Sequence, residues 1–128
     1  MKIEINNKIT IDNDVEEIKE VYDCQISEKA GFLYFVYQNP EKEKVVLKCY
    51  EKGLTMTRYS TPKSLMKFHR DQKQAIAIPT PLGLQHFVTD TNSFHFSKDL
   101  KELSMNYDLR DATHDGLFAS YSLNIKWY

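Results

Sequence analysis

The chain reads as one all-β domain covering residues 1–128, a single antiparallel up-and-down β-barrel of about eight to ten strands with at most one short helix. Three observations predict this. The dominant hydrophobic period is two, the pattern of a strand with one buried face. Aromatic residues make up 12% of the chain, with eight Tyr, seven Phe and one Trp, and these side chains suit a pleated, half-buried surface. Turn-forming clusters recur about every 8–12 residues, the spacing of a sandwich or barrel. A closed barrel leaves no exposed edge and lets the first and last strands pair.

At the start, Ile3, Ile5, Ile9 and Ile11 share one parity. Asp12-Asn13-Asp14 is a turn, because Asn and Asp bond to nearby backbone and tolerate left-handed conformations. Val15 to Ile26 carries two patterns: Ile18, Tyr22, Cys24 and Ile26 suit a strand, whereas Val15, Ile18 and Tyr22 also mark a helical stripe. The strand is preferred because it completes a hairpin with the first. Phe32 to Gln38 is a dense aromatic strand stopped by Asn39-Pro40, since proline cannot donate to a central ladder. Val45 to Tyr50, Leu54 to Tyr59, Leu65 to Arg70 and Gln74 to Ile78 continue a meander through turns at Glu51-Lys52-Gly53, Thr61-Pro62-Lys63 and Asp71-Gln72. Pro79 to Gly83 is a rigid corner. Leu84 to Thr89 and Phe94 to Phe96 are expected to form a hairpin about Asp90-Thr91-Asn92. Ser97 to Glu102 has helical potential over one or two turns, with Ser97 as the cap. Leu103, Met105, Tyr107 and Leu109 then alternate with polar residues. Beyond the polar connection that ends in Gly116, the series from Leu117 to Trp127 does the same, so these two segments form a long hairpin.

Composition excludes several classes. The net charge is -1 and the 17 basic residues are scattered, so no nucleic-acid footprint exists. The N-terminus alternates polar and apolar residues, which argues against a signal peptide or a membrane span and makes the cytoplasm the expected compartment. Cys24 and Cys49 match no zinc or redox spacing, and both are expected to be reduced. Each suits a small buried apolar position. His69, His86, His95 and His114 fit no metal-ligand spacing, although a tight turn at Asp90 would bring His86 and His95 face to face. A longer loop there would instead pair Phe87 with Phe96. The four glycines are isolated turn residues, so there is no phosphate-cradling loop, and no nucleophile elbow is present. No metal, cofactor or catalytic residue is expected, although a site assembled in space leaves no local motif.

Four residues are candidates for a ligand site. Arg58 continues the apolar parity of Leu54 and Met56, and Arg70 continues that of Met66 and Phe68. An inward arginine needs a partner or an anionic ligand, because an unpaired buried charge is costly. An arginine near a strand end can instead reach solvent or a nearby acid. Tyr107 and Tyr121 sit on the inward parity of the last two strands and present hydroxyls to a ligand, or fill the core. A barrel of this size is either filled by side chains or holds one small ligand. The leading expectation is a non-catalytic barrel that binds a small amphiphilic or anionic molecule. The alternative is a protein-interaction or self-assembly module with a solid core, such as a homodimer, because Phe32 to Gln38 is bulky and apolar on both faces.

The second half also carries a pattern of order and spacing. Arg58 follows Gly-Leu-Thr-Met, the basic strand Met66-Lys67-Phe68-His69-Arg70 comes next, and Thr80-Pro81-Leu82-Gly83 makes a corner. Tyr107-Asp108-Leu109, the Gly116 turn and Tyr121 to Ile125 close it. Together these resemble the YwiB-like family of small bacterial β-barrel proteins, closely over residues 45–128 and loosely before that. Leu82 stands where the family often has an aromatic residue. The resemblance implies a lipocalin-like (calycin-like) barrel from a Gram-positive bacterium, and it implies no catalytic residues.

Overall fold

A computed structural model describes residues 1–128 as ten antiparallel strands and no helix. They are β1 (Lys2–Ile11), β2 (Asp14–Lys29), β3 (Phe32–Gln38), β4 (Lys44–Tyr50), β5 (Gly53–Arg58), β6 (Ser64–His69), β7 (Gln74–Thr80), β8 (Gly83–Ser97), β9 (Glu102–Asp111) and β10 (Leu117–Trp127). They lie side by side in the order β6-β5-β4-β3-β2-β1-β10-β9-β8-β7. Every consecutive pair is a hairpin except β6–β7, and the ring is joined by the first and last strands, with Ile3 opposite Trp127 and Ile9 opposite Tyr121.

The ladder does not close between β6 and β7. That seam is held by a side chain: Thr89 of β8, fully buried, donates its hydroxyl to the Lys67 carbonyl of β6 at 2.6 Å. The result is a nearly closed barrel, as the alternation predicts. The period-two faces also hold strand by strand. Leu33, Phe35 and Tyr37 of β3 point inward, as do Val45, Leu47 and Cys49 of β4.

Two local expectations are corrected. Asp90-Thr91-Asn92 does not reverse the chain. β8 runs straight through it and pairs with β9 on both sides, the register slipping between Thr91 and Ser93. A bulge therefore absorbs the polar cluster as a bend instead of a turn. Consequently His86 lies opposite Ala77 and His95 opposite Ser104, and Phe87 never meets Phe96. Ser97 to Glu102 is a tight turn and not a helix. The Ser97 hydroxyl accepts the Leu100 amide at 3.1 Å, as a helix cap would, but Lys101 takes a left-handed φ of 53° and turns the chain into β9. On the outer face of β3, the Lys48 ammonium lies 4.2 Å from the Phe32 ring centroid, and the Tyr50 ring packs edge-on to Phe32 at 5.1 Å.

The strands are unequal, and this shapes the interior. β3 pairs with β2 only from Cys24 to Lys29, whereas β1 pairs with β2 from Asp14 to Asp23. The first half of β2 therefore overhangs the short β3–β6 meander. One end of the barrel is packed around Phe35, Leu47, Leu103, Ile125 and Trp127, with the Phe35 and Trp127 rings edge-on at 4.9 Å. Toward the β1–β2, β7–β8 and β9–β10 turns, the interior is not filled.

Candidate functional site

The unfilled half is a cavity of about 320 Å³. Its wall comes from 13 residues, 11 of them hydrophobic, and draws on β1, β2, β3, β5, β6, β7, β9 and β10. Apolar walls are supplied by Ile5, Ile18, Met56, Met66, Phe68 and Ile78. This follows from the alternation: each is on the inward parity of its strand, one or two steps beyond the packed end. The two non-hydrophobic wall residues are Asn7 of β1 and Glu20 of β2. Glu20 lies opposite Ile5, and Asn7 opposite Ile18, so the two are diagonal neighbours on the inner face of one hairpin. The Asn7 Oδ1 is buried and has no hydrogen-bond partner. Glu20 is exposed on the overhang, where the Tyr22 hydroxyl donates to its carboxylate.

Tyrosines give the cavity its character. Tyr107 and Tyr121 face each other across the β9–β10 ladder with rings stacked at 4.6 Å, and Tyr107 also packs on Phe68 at 4.6 Å. Tyr37 stacks on Tyr22 at 4.7 Å. Burial pushes the hydroxyls of Tyr37 and Tyr107 well above the ordinary phenol range and raises that of Tyr121. Burial, reinforced by the Glu20 carboxylate, pushes Tyr22 up to about 12. All four are neutral hydrogen-bonding groups near neutral pH, not bases. Burial alone pushes the Cys49 thiol up to about 12, which removes it as a nucleophile there.

Of the four residues that the sequence singles out, the structure brings Tyr107 and Tyr121 together in the cavity wall and leaves both arginines outside it. Arg58 has the expected parity, but it is the last residue of β5, at the rim. Its side chain is 51% exposed and its Nε lies 3.7 Å from the Glu43 carboxylate. Arg70 lies just past β6 at the opposite, packed end, in a surface groove shared with Glu51, His95 and Glu102. The anionic-ligand reading built on these two cations therefore loses its geometric basis. Asn7 and Glu20 were missed, yet both leave a signal: Asn7 occupies the phase of Ile3, Ile5 and Ile9, and Glu20 that of Ile18 and Tyr22. A polar residue in an otherwise apolar phase marks a place where the inner wall is not solid core.

No helix of the structure is long and apolar enough to cross a membrane. No curated protein matches the chain. The barrel is similar to the crystal structure of the YwiB protein from Bacillus subtilis, with a TM-score of 0.77 at 17% identity, over 99% of this chain and 90% of that one. At that identity the likeness speaks for the fold alone. A family model matches residues 3–125, from the first inward isoleucine to Ile125 in the closing strand, and on that match the chain belongs to the family described as a domain of unknown function, DUF1934.

Proposed function

We propose that this barrel is a non-catalytic binding protein that holds one small, largely apolar molecule with a single polar end in its hollow half, and that it works in the cytoplasm. The observation that carries this is the cavity itself, about 320 Å³ with 11 of its 13 wall residues hydrophobic. That volume lies at the lower end of the roughly 300–1,000 Å³ typical of small-molecule sites. A protein that packs its other end so fully, around Phe35 and Leu47, has the residues to fill this one too. Both cysteines are free, which suits a reducing compartment.

Native mass spectrometry of freshly purified protein tests the reading. A co-purified mass of a few hundred daltons or less, lost on denaturation, supports it. Bare protein that also shows no binding to a panel of short-chain amphiphiles rejects it. Self-association is the second reading. It is favoured by exposed Leu82, Leu84, Leu117 and Phe118, which project from the β7–β8 and β9–β10 turn regions at one end of the barrel. Light scattering that shows a dimer, abolished by Leu84→Ser and Phe118→Ser together, supports it.

A further inference from the structure

We infer that the hollow half of the barrel selects a ligand whose polar end is an ammonium group and discriminates against an acidic one. This rests on the reading of the cavity as a ligand site and adds the chemistry of the head group.

Four observations converge on it. The one charged residue in the cavity wall is an acid, Glu20, and no Lys, Arg or His lines the cavity. Arg58, the nearest arginine by parity, is turned to Glu43, and Arg70 belongs to the opposite rim. The second polar wall residue, Asn7, brings a buried Oδ1 that accepts no hydrogen bond. An unpartnered buried acceptor is costly and is relieved by a donor. An ammonium has donors and no acceptor, so it can pair with the Glu20 carboxylate; Asn7, the diagonal neighbour of Glu20 on one inner hairpin face, can offer its unpartnered Oδ1 by a rotation of its side chain. The wall tyrosines Tyr37, Tyr107 and Tyr121 add aromatic surface to the cavity, and aromatic rings attract organic cations. The Glu41 carboxylate in the β3–β4 turn is close enough to act on the Tyr22 hydroxyl and adds negative potential beside Glu20. A carboxylate ligand would meet Glu20 as a like charge, with no cation in the wall to offset it.

The test uses the whole chain and three matched probes of equal reach: 2-phenylethylamine, 2-phenylethanol and 3-phenylpropanoate, titrated calorimetrically at neutral pH. The amine is expected to bind about tenfold or more tighter than the alcohol, with the carboxylate weakest, as a charge-assisted hydrogen bond plus a cation–aromatic contact implies. Glu20→Gln keeps the side chain's size at an exposed position and is expected to reduce the amine to the alcohol's affinity while leaving the alcohol unchanged. Asn7→Leu is expected to weaken the amine more than the alcohol. If the alcohol binds but the amine binds no tighter, or if the carboxylate binds tightest, or if Glu20→Gln keeps the full preference for the amine, the head-group inference fails and the cavity reading stands. If no probe binds at millimolar concentration, both fail.

Discussion

Leu47 and Met56 face each other across the β4–β5 ladder, yet they border different halves of the interior. Leu47 is fully buried in the packed end, whereas Met56 lines the cavity. Leu47→Ala removes atoms with close neighbours on every side and leaves a new void, so the loss is expected at about 3–4 kcal/mol. Met56→Ala removes a similar number of atoms from a side chain that already borders open space. The packing term is then mostly absent and about 1–1.5 kcal/mol remains from transfer of the lost methylene and thioether groups. Urea unfolding followed by the fluorescence of Trp127, buried and the chain's one tryptophan, reads both. With a slope of about 2 kcal/mol/M, the midpoint should fall by roughly 1.5–2 M for Leu47→Ala and by about 0.5–0.8 M for Met56→Ala, with the slope unchanged. Equal losses for the two variants would refute the division of the barrel into a packed half and a hollow half.

Three more outcomes are expected. Thr89→Val keeps the shape but leaves the Lys67 carbonyl without its donor, so stability should fall by about 1–2 kcal/mol and amide exchange should rise along β6 and β7 but not along β1 and β10. The Tyr22 phenol is held up to about 12 in the folded chain against 10.0 unperturbed, and Tyr37, Tyr107 and Tyr121 are shifted the same way. A raised acid stabilises the fold fully below its unfolded pKa, and that stability is lost as pH climbs through the folded value; the urea midpoint should therefore drop between about pH 10 and 12, alongside a delayed phenolate absorbance. Burial raises the thiols of both cysteines, but Cys49 is the fully buried one. Alkylation of native protein in mildly alkaline buffer should label Cys24 first and Cys49 only after denaturation, as peptide mass mapping will show.

The barrel was readable because its inner and outer residues alternate with few exceptions. Met105, Tyr107 and Leu109 of β9 lie inward on the parity that the sequence displays, and Leu123, Ile125 and Trp127 of β10 do the same. Where reading failed, a local signal was outweighed by pairing at a distance. Asp90-Thr91-Asn92 has turn chemistry, but Thr91 finds Tyr107 and Ser93 finds Asn106 on β9, so the strand continues through a bulge. Ser97 has cap chemistry, but hairpin geometry with Glu102 decides the segment. At the candidate site, parity placed Tyr107 and Tyr121 correctly because both are mid-strand. It misplaced Arg58 because parity states a direction and not a depth: at the last residue of a strand, inward parity leads to the rim. Depth depends on how far each strand extends past its neighbours, and that register is set by pairings such as Cys24 with Tyr37, which no local pattern encodes.

The overhang of β2 beyond the β3–β6 meander makes the barrel a cup cut on the slant, tall on the β10–β1–β2 side and low on the other. Fold and capacity are thereby assigned to different stretches of the same strands. The filled base, where Phe35 meets Trp127, secures the architecture, while the height of the low wall sets how much the cup contains. Lengthening the β3–β4 or β5–β6 hairpins by two residues would preserve every side chain's facing and raise that wall. Relatives with the same base could thus differ in the depth of the hollow without altering the part of the sequence that makes them fold.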